Sequence, residues 1–365
     1  MQSQPGKPEL IKKMNMELIY HTLLSLGSAT RGEIASHTRM SVTTVRTLLE
    51  ELVELGEIVE SALDESSGGR RPQRYALSPH RNRMLLCYLD REQLHYRIAS
   101  LMGETLEEGE KALSPSRTEE EALDFALWCR EERQVTAVGL GVPGIVEEGG
   151  FLVSDCDHWV INDIGERMRA ALGLPVLLEN DLNAIALGFC RRYSQSHPGC
   201  SPEQVNMAYI HFNVSCTGAG VIADGKVVRG DKNFAGELGF LPMGGGKTLD
   251  AAIAGAAGDG ERAGHIAQAV AAVNCVANPA LIVIGGDLFH RYDVDFSQIL
   301  QKTKELIPAR MLPDIVYSDA CREDYLSGLS YLTSRMLLPL LPFRPAAGPS
   351  SSAPRGGKGN DLEIR

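Results

Sequence analysis

The stretch Gly173-Leu174-Pro175-Val176-Leu177-Leu178-Glu179-Asn180-Asp181 places a short apolar run between a glycine-proline turn signal and a polar end. Such a run predicts a buried strand, here over residues 176–178, and the pattern after it predicts a helix over residues 183–193. Strands and helices alternate in the same way on both sides of it, which is typical of an α/β fold. The other predicted strands are 84–89, 136–141, 207–212 and 281–284, and the other predicted helices are 119–133, 163–172, 261–277 and 296–306.

The first 78 residues have a different pattern, in which helices dominate. Thr30-Arg31-Gly32-Glu33 has the spacing of a capping box, where the Thr and Glu side chains bond the free N–H groups of a helix start. It predicts a short helix that ends near residue 37. A longer helix is predicted before it, over residues 9–26, with an apolar face formed by Leu10, Ile11, Met14, Leu18 and Leu24.

A third helix is predicted to begin after Ser41, its cap, and to end at Gly56. Two short strands, 58–60 and 75–77, flank the glycine-rich tip Ser66-Ser67-Gly68-Gly69-Arg70-Arg71-Pro72. Helix, helix, turn, helix and a basic hairpin are the elements of a winged helix-turn-helix. We therefore predict a DNA-binding domain over residues 1–78.

The third helix and the tip carry the candidate DNA contacts. Hydroxyl groups and an arginine at the start of the helix can reach phosphates or base edges in the major groove. The two arginines of the tip can enter a narrow minor groove. The alternatives are an ordinary solvated helix face beside a plain hairpin, and a winged helix that binds protein. The predicted DNA-binding residues are Ser41, Thr43, Thr44, Arg46, Thr47, Arg70 and Arg71.

Charge and composition exclude several classes of protein. The net charge is −11, but residues 1–83 carry 11 Lys and Arg against 10 Asp and Glu, so the acidic excess lies in the rest of the chain. No apolar run reaches eighteen residues and the start of the chain is polar, which predicts a cytoplasmic protein without a membrane span. The eight cysteines form no C-x-x-C pair, so neither a disulfide framework nor a thiolate zinc site is predicted.

The α/β region contains five glycine-containing segments. They are Gly139-Leu140-Gly141-Val142-Pro143-Gly144, the stretch 173–181 quoted above, Gly218-Ala219-Gly220-Val221-Ile222-Ala223-Asp224-Gly225, Ala235-Gly236-Glu237-Leu238-Gly239 and Ile282-Val283-Ile284-Gly285-Gly286. In this order and spacing they resemble the ROK family, named for repressors, open reading frames and kinases. The head of the chain, with its Gly-Gly-Arg-Arg-Pro tip, resembles the repressor branch of that family.

The resemblance implies a two-lobed sugar-kinase fold of the actin-like, ribonuclease H-like type, with a sugar site in the cleft between the lobes. In the family's kinases the Asp of an Asn-Asp pair takes the proton from the attacking sugar hydroxyl. Asn180 and Asp181 match that pair, and Glu237 matches a further acceptor of sugar hydroxyls. These three residues are the predicted ligand-binding residues.

Two departures from the family pattern argue against catalysis. Family kinases open the domain with an Asp-x-Gly-x-Thr loop for phosphate, whereas this chain has Asp90-Arg91-Glu92-Gln93-Leu94. A cradle of backbone N–H groups usually needs glycine, and Glu92 would repel phosphate. The second phosphate region is altered too, reading Ser215-Cys216-Thr217-Gly218. No catalytic residue is therefore predicted.

The family's zinc motif is also missing, because Phe240 stands at its His position and no cysteine follows until Cys275. We predict no metal and no cofactor. A sugar held by the three ligand residues, with Asp157 or His158 as further candidates, is one interpretation of the cleft. A different small ligand and an empty cleft are the others.

Together these features predict a DNA-binding regulator, a repressor of carbohydrate metabolism controlled by a sugar or related ligand. Residues 79–343 would form the kinase-like domain and residues 344–365, rich in Pro, Gly and Ser, a disordered tail. The expected partners are an operator in double-stranded DNA and further copies of the chain, as a homodimer or homotetramer. The rival hypotheses are a sugar kinase with a DNA-binding head and a constitutive DNA-binding protein with an empty cleft.

Overall fold

A computed structural model describes residues 7–63, 72–90, 92–155, 158–197 and 199–343. They form two compact units, one from the residues up to Ser78 together with those from Leu338 onward, the other from Pro79–Leu337. The short 3₁₀ helix Leu338–Phe343 thus belongs to the first unit, where it packs against the first helix. The predicted kinase-like domain, 79–343, includes this segment. The predicted tail, 344–365, lies outside the described residues.

The first unit contains three helices and a three-stranded antiparallel sheet with strand order β1-β3-β2. Its capping box is confirmed, since Thr30 and Glu33 bond each other's backbone N–H groups. Ser41 caps the third helix, as predicted. The elements are α1 (Lys7–Leu26), β1 (Ser28–Thr30), α2 (Arg31–Thr38), α3 (Val42–Glu54), β2 (Ile58–Leu63) and β3 (Gln73–Leu77).

The predicted apolar face of α1 is wrong. The residues that α1 buries include Met16, Ile19, Tyr20 and Leu23. The side chains expected in the core are exposed instead: Leu10, Ile11, Met14 and Leu18. The helix has apolar residues on two faces, so periodicity alone could not tell which face packs on the rest of the unit.

The second unit contains two five-stranded sheets. The first, of order β11-β7-β4-β5-β6, is an antiparallel meander of β4 to β6 extended by two parallel strands. A small antiparallel sheet, β10-β9-β8, lies between β7 and the next helix in the chain. The elements are β4 (Arg83–Asp90), β5 (Gln93–Ala99), β6 (Thr105–Ala112), α4 (Thr118–Glu132), β7 (Val135–Val142), β8 (Ile145–Glu147), β9 (Gly150–Asp155), β10 (His158–Asn162), α5 (Ile164–Leu172) and β11 (Val176–Asn180).

The second sheet, of order β14-β13-β12-β15-β16, repeats the topology of the first. It is an antiparallel meander of β12 to β14, extended beyond β12 by two parallel strands. The turn between β13 and β14, Asp224-Gly225, has positive φ at both residues, as a type I′ hairpin requires. The elements are α6 (Asp181–Ser196), β12 (Met207–Phe212), β13 (Thr217–Ala223), β14 (Lys226–Val227), α7 (Leu249–Ala254), α8 (Asp259–Ala277), β15 (Leu281–Gly285), α9 (Leu288–Arg291), α10 (Phe296–Leu306), β16 (Asp314–Tyr317) and α11 (Cys321–Leu337).

The two sheets are joined by the close crossing of α6 and α11. Glycine makes the approach possible, since a Cβ on Gly328 of α11 would collide with the carbonyl oxygen of Ala184 in α6. On the other side, α11 packs against β7, where Gly139 and Gly141 leave room for Thr333 and Tyr325. Gly139 and Gly141 therefore allow α11 to pack closely on β7.

Each sheet also has a core of its own. Leu85, Val138 and Leu140 are buried in the first, and Ile210, Ile282 and Ile284 in the second. Among the described residues, no helix combines the length and the apolar character that crossing a bilayer demands. The α/β architecture predicted from the alternating pattern is confirmed.

Candidate nucleic-acid interface and candidate ligand cleft

The start of α3 presents polar side chains to solvent. Its other face is buried through Val45, Leu48, Leu49 and Leu52. The predicted contacts all lie on the exposed side: Ser41, Thr43, Thr44, Arg46 and Thr47. The structure thus brings five of the seven predicted DNA-binding residues onto one surface.

Three of the hydroxyl groups on this surface also form hydrogen bonds within the first turns of the helix. The Thr44 backbone N–H donates to Ser41 Oγ at 3.1 Å, and the two side-chain oxygens lie 2.8 Å apart. Thr47 donates to the carbonyl of Thr43 at 3.2 Å. These bonds orient the hydroxyl groups, and an oxygen that accepts one bond retains a second lone pair for a phosphate-bound water or a donor.

Arg46 is held by a weak local ion pair. Its Nε lies 2.7 Å from Glu50 Oε1, one helical turn along α3, and both side chains are more than half exposed. Exposed pairs of this kind contribute little to stability, because water and salt screen both charges, so a phosphate can compete for the guanidinium. Arg70 and Arg71 lie outside the described residues.

Sequence reasoning missed one basic residue near this surface. Arg39 forms the turn between α2 and α3, is exposed and has φ of 57°. A non-glycine residue in that conformation is uncommon. The motif search passed over it because a single arginine in a turn carries no pattern.

In the second unit, a cleft opens where β11 ends and α6 begins. Asn180 caps α6, because its Oδ1 accepts the backbone N–H of Asn183 at 3.0 Å. Its Nδ2 donates to the carbonyl of Gly144 at 2.9 Å and so fixes the loop after β7. Asn180, which the resemblance matches to a sugar contact, thus also has a structural role.

Asp181 follows as the first residue of α6. Its Oδ1 accepts the backbone N–H of Leu182 at 2.8 Å. Burial raises the pKa of Asp181 to about 6, against the hydrogen bonds from Leu182 and Asn180 that favour the charged form. A carboxyl group with that pKa can accept a proton near neutral pH, and an ionised one can accept hydroxyl hydrogen bonds.

Glu237 reaches the same cleft from the Ala235–Gly239 segment. Gly236 has φ of 99°, and a Cβ there would collide with the carbonyl oxygen of Ala219 in β13. The close contact holds the segment against β13 through the bond from Ala219 N to Gly236 O, at 2.7 Å. Burial raises the pKa of Glu237, and the charges of Asp181 and Asp250 raise it further.

Asp250, which sequence reasoning missed, is the third carboxylate of this neighbourhood. It lies in the first turn of α7, and its side chain fills the space that a Cβ on Gly239 would take. Burial raises its pKa, while hydrogen bonds from Thr217 lower it. The signal in the sequence was Thr248-x-Asp250, an ordinary helix start, and nothing there indicated that its charge acts on Glu237.

The lining of the cleft is polar and, among the described residues, contains no Lys or Arg. The guanidinium of Arg229 lies beside it but is bound to Glu179, with Nη1 and Oε1 2.6 Å apart. Other polar groups of the lining are His211, whose pKa is lowered by burial, Asn213 and Asn233. Asn180, Asp181 and Glu237 all line this one cleft, as the resemblance implied.

The two regions that hold phosphate in family kinases form short hairpins here. Asp90 at the end of β4 pairs with Gln93 at the start of β5, and Leu94, at the position of the family's Thr, is buried in the apolar core. Between β12 and β13, Asn213 N donates to Cys216 O at 2.9 Å. Gly218, at the start of β13, approaches the Leu182 side chain of α6.

The remaining departures from the family pattern can be placed only in part. Phe240 is exposed and its ring lies 5.6 Å from that of Phe234. Asp157 lies outside the described residues, and of His158 only the backbone, in β10, is described. Neither residue can be assigned to the cleft.

Comparison with known proteins gives the context of these two sites. The ROK family model matches residues 98–261. A xylose repressor of Caldicellulosiruptor bescii is 26% identical over 249 residues, which cover 65% of this chain and 61% of that protein. The match thus spans about three fifths of the relative's length.

Solved structures share the fold. A ROK family transcriptional regulator, a homologue of the Escherichia coli MLC protein, superposes with a TM-score of 0.68 at 20% identity and covers 91% of this chain and 98% of its own. A ROK hexokinase from Thermus thermophilus has a TM-score of 0.55 at 20% identity and covers 70% of this chain and 99% of its own. The fold is therefore shared by regulators and kinases alike, and residues 98–261 of this chain are similar to the ROK family.

Proposed function

We propose that this protein is a DNA-binding transcription regulator of carbohydrate metabolism, a repressor whose operator affinity is controlled by a neutral sugar bound in the cleft of the second unit. Its first unit would bind DNA through α3 and the basic tip, and its second unit would bind the effector without phosphorylating it. Support comes from a relative that is a xylose repressor and a solved structure of a regulator with the same fold.

The main support for the proposal is that the chain keeps the polar groups suited to a sugar but not the loop suited to phosphate. The polar groups suited to sugar hydroxyls, Asn180, Asp181 and Glu237, share one lining. The loop suited to phosphate does not survive, because Glu92 and a buried Leu94 stand where kinases need glycine and threonine. A protein that keeps the sugar contacts and loses the phosphate loop can sense a sugar but lacks the means to position ATP.

The charge of the lining argues for a neutral effector. Two carboxylates, Asp181 and Glu237, line the cleft, and the charge of a third, Asp250, acts on Glu237. The described lining contains no Lys or Arg to pair with a phosphate or carboxylate group of a ligand. The guanidinium of Arg229 is committed to Glu179, which is 2% exposed. An anionic sugar would meet like charges in a partly dehydrated site, which disfavours binding strongly.

A sugar kinase is the second candidate, and one observation favours it. Asp181 has a pKa of about 6, which suits a general base that takes a proton from a sugar hydroxyl. The hexokinase with the same fold shows that this architecture can support that chemistry in another protein.

The two candidates differ in what the purified protein does with DNA, sugar and ATP. Duplexes selected from a random pool by binding would serve as the DNA probe, and their affinity would be measured by fluorescence anisotropy with and without glucose, xylose, N-acetylglucosamine and the phosphates of glucose and N-acetylglucosamine. We expect one neutral sugar to change the affinity and the sugar phosphates to have no effect. ATP consumption with any of these sugars, or failure to select DNA at low salt, would contradict the proposal.

A further inference from the structure

Helix α1 carries an apolar stripe that the first unit does not bury. Its exposed fractions are large for apolar side chains: Leu10 42%, Ile11 58%, Met14 56% and Leu18 45%. Isolated exposed apolar residues are common on protein surfaces, but four on one stretch of one helix face form a contiguous patch. The C-terminal segment Leu338–Phe343 also packs against α1, yet it leaves this stripe exposed.

The stripe is close to symmetric about its central residue. Leu10 and Leu18 lie four positions before and after Met14, about 6 Å along the axis in either direction at 1.5 Å per residue. Ile11, Met14 and Leu18 have the three-four spacing of a helix-packing seam. A surface that matches itself after a half-turn is what a two-fold contact between identical chains requires.

We propose that this stripe binds the same stripe of a second copy of the chain, with the two α1 helices antiparallel and Met14 of each copy at the two-fold axis. In this arrangement Leu10 of one copy packs on Leu18 of the other. The pairing buries all four apolar side chains of each helix.

The charges beside the stripe select the antiparallel direction. Two of the three lysines in residues 7–13 already form ion pairs, Lys12 with Glu51 of α3 at 2.7 Å and Lys13 with Glu9 at 3.4 Å. Lys7 is the third, and residues 15–21 contain Glu17 and no Lys or Arg. Antiparallel pairing brings Lys7 of one copy to the half of the other helix that carries Glu17. Parallel pairing would set Lys7 of each copy against the other, which is unfavourable for like charges at close range. The helix dipoles add to the same preference, since opposite ends become neighbours.

The contact would bring two first units together as a pair. This consequence matters for the proposed function, because a two-fold pair of heads can bind both halves of a palindromic operator. The pairing itself does not depend on DNA binding, and its test needs no DNA.

Disulfide formation at the proposed axis tests the pairing in the full chain. In Met14→Cys, the two introduced thiols should lie next to each other and should form a bond between chains when diamide removes their hydrogens. Leu26→Cys is the matched control, also exposed and on α1. Antiparallel pairing separates its two copies by about 36 Å, since each lies twelve residues from the axis. The unsubstituted chain gives the background from its own cysteines.

We expect cross-linked dimer from Met14→Cys at least tenfold above both the background and Leu26→Cys. Adding Leu18→Glu to Met14→Cys should remove that excess while the thermal unfolding temperature stays within a few degrees, because residue 18 is exposed. Cross-linking at the background level, equal cross-linking at both cysteine positions, or an excess that persists with Leu18→Glu would each overturn the proposal.

Discussion

The ionised carboxylate of Asp181, in the cleft, should lower the free energy of unfolding of the protein. Its pKa lies at about 6 in the folded protein against an ordinary value of 3.8, a difference of about two units. At about 1.4 kcal/mol per unit, the ionised carboxylate destabilises the folded state by up to about 3 kcal/mol above pH 6. Asp181→Asn should therefore raise the free energy of unfolding, because the neutral amide oxygen can still accept the N–H of Leu182.

The pH dependence gives this prediction its sign. A raised pKa in the folded state means that the carboxyl is protonated on folding between about pH 4 and 6, so the destabilising effect is absent below the lower value and complete above the upper one. Denaturant unfolding of the wild type and Asp181→Asn should differ by about half the full amount at pH 5 and by the full amount from pH 7 to 8. Asp163→Asn is the matched control, since that exposed carboxylate also stands at a helix start, and it should change stability by a few tenths of a kcal/mol only.

Two results would refute this reasoning. Asp181→Asn could destabilise the protein at pH 8, which would mean that the carboxylate stabilises the fold. Its effect could also be independent of pH between 5 and 8, which would mean that the carboxyl has an ordinary pKa. The same group should control the effector, because an ionised acceptor binds sugar hydroxyls best, so isothermal titration should show sugar affinity falling below pH 6 in the wild type.

Three further predictions concern the head, the buried ion pair and the helix crossing. Arg46→Ala should weaken DNA binding about tenfold and reduce its dependence on salt, whereas Glu50→Ala should not weaken it, because it releases the arginine; equal losses in anisotropy titrations would contradict this. Arg229→Met should lower the free energy of unfolding by about 3 kcal/mol, because it leaves a buried carboxylate without its cation; a loss below about 1 kcal/mol in denaturant titrations would contradict the burial argument. Gly328→Ala should cost at least about 2 kcal/mol by forcing α6 and α11 apart, whereas Gly264→Ala, in an open part of α8, should be neutral or slightly stabilising; similar thermal shifts for the two variants would refute the close crossing.

Much of the α/β order could be predicted from the sequence, because local signals and the fold agree there. The strand 207–212 and the helix 296–306 match β12 and α10 residue for residue, and the capping box was predicted with its geometry. In these segments periodicity, caps and turn residues depend on neighbours in the chain. Such signals can be read without knowing what packs on them.

The helix α11 could not be predicted, although it is central to the second unit. Its sequence mixes Gly328 with Ser and Thr residues, which have low helix propensity, and its apolar residues do not form one stripe. It is helical because it packs on α6 on one side and on β7 on the other. The stabilising partners lie more than a hundred residues away in the chain, so no local window contains them.

The duplication of the two sheets is also invisible in the sequence, where no internal repeat is recognisable. Both sheets nevertheless have a three-stranded meander followed by two parallel strands in the same order. A given strand order requires apolar runs at suitable places in the chain, and many different sequences meet that requirement, so the two halves need not resemble each other in sequence. The carboxylate beside Gly239, Asp250, was missed for a related reason: the path of the chain after Gly239 brings it there, and it belongs to no motif.

The proposed function depends most on the coupling between sugar binding in the cleft and DNA binding by the first unit. The direct measurement is the operator affinity of the wild type and Asp181→Asn, each titrated with the neutral sugar that stabilises the wild type most in a thermal-shift screen. The account predicts equal affinities without sugar, and a change on adding sugar that the wild type shows and Asp181→Asn lacks. A sugar response of equal size in both proteins, or no response to any neutral sugar in the wild type, would contradict it.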